Sequence, residues 1–194
     1  RWFYPYALYR HHIDDRLDLT VDVGDVRLVG LNSTSPHRAI SNGRIHKNQL
    51  EFCAESFAEV PAGTARIVVA HHHFAPAPDY LRDHPMPKAK RAMTTFQKLG
   101  IEMLLGGHLH RAYIGNSLDF YAGDRRDRGI TIVQCGTSTS RRGRGREKEK
   151  NSFNVIDVLP TEFLITHWMY FDEHESFRPQ SQHRFPRRGH ELPI

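Results

Sequence analysis

Apolar and polar positions first fall into a regular order at residues 17–23 (LDLTVDV) and 26–31 (VRLVGL). They alternate or run together around Gly24-Asp25, which predicts a β-hairpin. The mostly polar stretch from Asn32 to Gly43, punctuated by Pro36 and Gly43, reads as a loop. From Lys47 to Glu59 the apolar residues Leu50, Cys53, Ala54, Phe57 and Ala58 recur at helical spacing, and Pro61 and Gly63 close the segment. Residues 66–70 (RIVVA) form a β-branched, nearly continuous run, the pattern of a strand buried on both faces.

A loop containing Pro76, Pro78, Pro85 and Pro87 follows. A second helix is then predicted over 88–99, with Ala89, Ala92, Met93 and Phe96 on one face and Gly100 as its stop. Ile101 to Leu105 reads as another buried strand ending at Gly106-Gly107, and further strands are expected at 111–115, 130–135, 153–159 and 163–171. This order predicts an α/β chain with a large β component. Residues 172–194 carry few apolar side chains and three prolines, so they are expected to form a loosely packed polar tail behind a domain spanning 1–171.

Composition narrows the picture. At 194 residues with 39% hydrophobic positions, the chain is long enough for one core. It has no apolar run of the roughly 18 residues that a membrane helix needs, so a membrane-spanning reading is excluded. Lys and Arg number 27 against 22 Asp and Glu. That excess suits an anionic partner such as a phosphate ester, but does not by itself favour nucleic acid. Two cysteines, Cys53 and Cys135, each inside an apolar element, read as reduced, buried thiols and point to a cytoplasmic location. The chain opens Arg-Trp-Phe without Met, so Arg1 is not expected to be where translation starts.

The chemistry lies in the fourteen histidines. Gly107-His108-Leu109-His110 follows a predicted buried strand directly. In an extended segment, two histidines two apart face the same way. His71, His72 and His73 follow the other buried strand, and strict alternation would let one or two of them share a site with His108. Other enzyme classes with a His-x-His pair fit poorly. The metallo-β-lactamase pattern wants Asp and His just past the pair, where Ala112 and Tyr113 stand, and a cupin wants an early Glu, whereas none follows before Glu147.

The chain resembles the second half of the calcineurin-like metallophosphoesterase family. The resemblance runs over Leu28-Val29-Gly30-Leu31-Asn32-Ser33, the strand into His71-His72-His73, the helix and strand leading to Gly107-His108-Leu109-His110, Gly136-Thr137-Ser138-Thr139-Ser140-Arg141 and Asn151-Ser152-Phe153-Asn154-Val155. It covers roughly residues 20–170. It implies an α/β sandwich of two packed mixed sheets flanked by helices. It also implies hydrolysis of a phosphate mono- or diester by two divalent ions (Mn, Fe or Zn), which clamp phosphate oxygens and activate water.

In that reading His71 and His108 bind one ion and His110 the other. His72, Arg141 and Arg142 contact substrate or orient ligands, the arginines bidentately. His73 stands where the family commonly has proline. The family's Asp-x-His, Gly-Asp and Gly-Asn-His segments are missing from their places, and Gly24-Asp25 and Gly123-Asp124 read as turn and loop instead. The expectation is therefore a C-terminal portion of the fold, with the catalytic residues and the bridging carboxylate upstream of Arg1 and no activity in this chain alone.

Two alternatives stay open at this level. One is a non-catalytic module whose basic run Arg141–Arg146 contacts protein or nucleic acid. The bland reading of that run is a solvated loop whose charge Glu147 and Glu149 partly cancel. The other is a mononuclear hydrolase in which Asp172 or His174 replaces the missing ligands.

Overall fold

A computed structural model describes residues 3–37, 41–76, 84–121 and 129–190. A six-residue helix α1 (Ala7–His12) buries none of its side chains. The hairpin β1 (Leu19–Val23) and β2 (Val26–Gly30) turns at Gly24, whose φ of +54° is one that glycine adopts without penalty. After α2 (Lys47–Ala58) come β3 (Ala65–Val69), α3 (Ala89–Lys98), β4 (Met103–Gly106), β5 (Tyr113–Asn116) and β6 (Thr131–Gln134). β7 (Ser152–Val158), β8 (Glu162–Phe171) and β9 (Ser176–Pro186) complete the chain.

Two sheets result. The larger is six-stranded and mixed, in the order β1-β2-β3-β4-β6-β5, with β2, β3, β4 and β6 parallel. The smaller, β7-β8-β9, is wholly antiparallel. The buried strands of the larger sheet use both faces. Val29, Val68, Leu104 and Ile132 pack with Leu50, Cys53 and Phe57 of α2 and with Ala92, Met93 and Phe96 of α3. Ile67, Met103 and Val133 face the other way, onto Phe163 and Ile165 of β8. The layers are thus helices, mixed sheet, antiparallel sheet, an α/β sandwich.

Sequence logic holds closely in the helices. α3 buries Ala89, Ala92, Met93 and Phe96, the predicted face. It ends in a Schellman motif: Gly100 at φ +70° donates to the Gln97 carbonyl and Ile101 to that of Phe96. α2 begins at His46, whose backbone N–H donates to Gln49 Oε1 (2.9 Å).

The expected loose tail is where the structure differs. Ser176–Pro186 pairs along β8 over its whole length, with a bulge at His167/Trp168 opposite Pro179. It is a sheet edge, so its side chains stay largely exposed and two prolines are tolerated. Beyond it Arg187 is buried. Its guanidinium donates to Glu102 Oε1 (3.4 Å), the Gly63 carbonyl (2.6 Å) and the Leu159 carbonyl (3.3 Å).

Cys53 is buried, Cys135 is half-buried, and both thiols are free. Burial pushes the Cys53 thiol up to about 12, so it stays protonated and inert. No described helix is long and apolar enough to cross a membrane. Gly123-Asp124 and the middle of the proline loop, Pro78 included, lie outside the described residues.

Candidate metal centre

β3 and β4 are parallel neighbours, so their C-terminal ends deliver the two histidine segments to one edge of the sheet. The chain leaving β3 bends at once, and the His71 carbonyl accepts the backbone N–H groups of Gly107 (3.1 Å) and His108 (3.0 Å). That pair of bonds stitches the two segments together beyond the sheet. Strand alternation no longer applies past Val69. His71, His72 and His73 accordingly all reach the His108 ring, at centroid distances of 5.1, 4.6 and 5.6 Å. The expectation that alternation would separate them is overturned by the bend.

Among the described residues, His71, His72 and His108 form the one group of His, Cys, Asp and Glu side chains able to share an ion, with ligand nitrogens within 4.8 Å of one another. His108 Nδ1 lies 3.2 Å from His71 Nε2. Zn–N bonds of roughly 2.0–2.1 Å in a tetrahedron imply an edge of about 3.3 Å, so this pair fits with little adjustment. His72 is 4% exposed, and its Nδ1 is held by Ser33 Oγ (2.8 Å), which leaves Nε2 as the nitrogen not engaged by the serine. Metal-binding imidazoles are commonly oriented by such a bond on the second nitrogen.

Electrostatics favour neutral rings. Burial, then the neighbouring His108, lowers the pKa of His71. The same causes, joined by His71 and His73, hold His72 down at about 4. Both imidazoles therefore present lone pairs at neutral pH, the form a cation needs. Three imidazole nitrogens suit one borderline cation. The group contains no carboxylate.

His110 is placed differently from the expectation. Residues 108–110 turn rather than extend, and His110 adopts φ +53°, so it does not simply share the direction of His108. It lies near enough to His71 to disfavour that ring's protonation, but outside the three-histidine group. Arg141 and Arg142 are exposed in the turn after β6, and that turn abuts the His110 end of the motif through an Arg144 N–H to His110 carbonyl bond (3.0 Å). Asp172 is exposed and paired with Lys150 (2.6 Å), and neither it nor His174 belongs to the histidine group.

Two residues that the sequence did not single out shape the site. Ser33 both receives the His72 backbone N–H (3.1 Å) and engages the ring. Glu147, expected in a solvated loop, is instead 3% exposed. A polar group buried under a turn leaves no trace in hydropathy. Only the place of Ser33 at the end of the resembling Leu28–Ser33 segment, and of Glu147 beside the glycines, hinted at either.

A cavity of about 790 Å³ opens at the opposite end of the parallel strands, between Ile101, Glu102, Asn116, Thr131 and Arg188. It touches none of His71, His72, His108 or His110.

No protein-family model matches the chain, nor does any curated protein. Among solved structures, GAP50, the anchor in the inner membrane complex of Plasmodium, superposes over 90% of this chain and 54% of its own, with TM-score 0.56 and 11% identity. Chaetomium thermophilum Vps29 matches over 88% of this chain and 61% of its own, with TM-score 0.38 and 15% identity. A predicted phosphoesterase from Streptococcus pneumoniae TIGR4 matches over 94% of this chain and 75% of its own, with TM-score 0.38 and 10% identity. The GAP50 superposition shows a shared fold. This chain spans little more than half of that structure and about three fifths of the Vps29 chain.

Proposed function

We propose that this chain carries the histidine half of a metal-dependent phosphoric ester hydrolase, with one divalent ion held by His71, His72 and His108. The observation that carries the reading is the convergence of three imidazoles at the C-terminal ends of two parallel strands. Such an ion supplies Lewis-acid stabilisation of phosphoryl charge. Around it, Ser33 orients His72, the His71 carbonyl fixes the backbone of His108, and His110 stands beside the trio as the ligand for a second ion. Arg141 and Arg142, on the turn that abuts His110, would meet the substrate phosphate. His72 is read here as a ligand, because its burial suits ion binding better than substrate contact. The carboxylate that bridges two ions and the proton-transfer groups would come from the remainder of a longer protein.

The test has two parts. Titration of this chain with Zn²⁺ or Co²⁺ by calorimetry should show one ion per chain, lost in His108→Ala. In the longer protein, His108→Ala should abolish Mn²⁺-dependent hydrolysis of bis-p-nitrophenyl phosphate. Retained activity in that variant sinks the ligand assignment.

A further inference from the structure

We propose that Glu147 is a positioning residue of the histidine site, its buried carboxylate fixing the turn that carries His108 and His110. The inference rests on the metal-binding reading for its consequence, but its geometry stands apart from it. Glu147 Oε1 accepts the backbone N–H of Ala112 at 2.6 Å, and Oε2 accepts the Ser152 hydroxyl at 2.5 Å. His167 Nε2 lies 3.8 Å from Oε1, and its Nδ1 donates to Asn154 Oδ1 (2.9 Å). Ser152 and His167 are 1% and 6% exposed, so these bonds act away from solvent, where charge-assisted hydrogen bonds are strongest.

His110 needs such support. Its φ of +53° is a conformation that a side chain disfavours, and it persists only when surrounding bonds impose it. Two bonds bracket it: Arg144 N–H on its own carbonyl, and Glu147 on the N–H two residues later. Leu109 is buried and anchors the turn between the histidines. The β6 side is shaped to the same carboxylate. A Cβ on Gly136 would collide with Glu147 Oε2 and Ser152 Oγ, and Cys135 N–H donates to the Gly106 carbonyl (2.8 Å). Four segments, 106–112, 135–137, 144–147 and 151–154, thereby meet at one acid.

The histidine edge is held from two directions. The His71 carbonyl fixes the start of the turn, and Glu147 fixes its end. Without Glu147 the turn keeps its first anchor and loses its second, so His108 and His110 would sample positions that no longer match His71 and His72.

The experiment compares the wild-type chain with Glu147→Gln, Glu147→Asp and Glu147→Ala, with folding checked by near-ultraviolet circular dichroism. Imidazole ¹H–¹⁵N spectra without metal should show displaced His108 and His110 resonances in E147A and E147D, and near-wild-type ones in E147Q, which keeps the length and one acceptor. Co²⁺ titration should give at least tenfold weaker binding and an altered d–d spectrum in E147A, with E147Q restoring most of both. Should E147A fail to fold, E147D must show the same changes in the same direction. A folded E147A or E147D with wild-type imidazole resonances overturns the positioning role. If the wild-type chain binds no Co²⁺, the metal-binding reading fails, and the imidazole spectra alone decide the role of Glu147.

Discussion

Ser33 Oγ lies 2.8 Å from His72 Nδ1 and accepts the backbone N–H of the same histidine at 3.1 Å, so one hydroxyl fixes both the ring and the main chain of a residue 39 positions away. Both residues are buried. The relationship ties the loop after β2 to the end of β3 and sets which nitrogen of His72 faces the other imidazoles.

Replacing Ser33 with alanine should therefore cost more than an ordinary hydrogen bond. Two polar groups of His72 would lose their partner in a buried place, a loss of about 1–3 kcal/mol. Urea unfolding followed by fluorescence checks the figure. Co²⁺ affinity should fall in the same variant, and wild-type affinity in Ser33→Ala would remove the serine from the site.

Gly43 presses on the same pair. Its φ is +65°, and a Cβ there would collide with the His72 ring and the Ser33 carbonyl. Gly43→Ala combines a disfavoured backbone with a clash against atoms that have no room to retreat, and should destabilise the fold by more than about 1 kcal/mol. A thermal melt of this variant should fall clearly below that of Gly63→Ala, since Gly63, also left-handed at φ +85°, has open space around its Cβ position.

Acidification should act through His72. Its folded pKa is held at about 4, below the ordinary 6.5, mainly by burial and then by its histidine neighbours. The unfolded chain therefore takes up this proton first as pH falls. Stability from His72 is complete above about pH 6.5, declines from there to about pH 4, and is flat below, with a total of a few kcal/mol at most. His71, lowered for the same reasons, adds in the same direction. Denaturant midpoints between pH 7.5 and 4 would show the decline, and a His72→Gln chain should show a shallower one.

Glu102 and Arg187 form a second test of buried charge. Both side chains are 8% exposed, and Glu102 also accepts the backbone N–H groups of Arg66 (3.2 Å) and Arg188 (2.9 Å). Glu102→Ala strands the Arg187 charge and should cost about 3–5 kcal/mol. A Glu102→Leu/Arg187→Met pair should recover a good part of that loss in the same unfolding assay. Equal losses in the single and double variants would show that the charge itself is not the cause.

The sequence was most readable where burial is regular. The apolar spacing of Ala89, Ala92, Met93 and Phe96 announced one face of α3, and the β-branched run at Ile67–Val69 announced a strand covered on both sides. β9 was not legible, because an edge strand leaves its side chains in water and tolerates Pro179 and Pro186, so Ser176–Pro186 looks like tail. In the site, the positions of His71 and His108 at two strand ends were legible. Their company was not, because the bend after Val69 cancels strand alternation and brings in His72, and the left-handed turn at His110 moves that ring out of register. Ser33 and Glu147 depend on contacts across 39 and 35 positions, which no local pattern encodes.

The withdrawal of Glu147 from solvent also decides which charges of that turn face the water. Counted along the sequence, two acids offset the basic residues of 141–149. Counted on the surface, Arg141, Arg142, Arg144 and Lys148 are exposed, with Glu149 as the sole exposed acid among the described side chains of that turn. An anion approaching the His110 side of the sheet edge meets four exposed cationic side chains beside one exposed acid, and its rate of arrival there should fall as ionic strength rises.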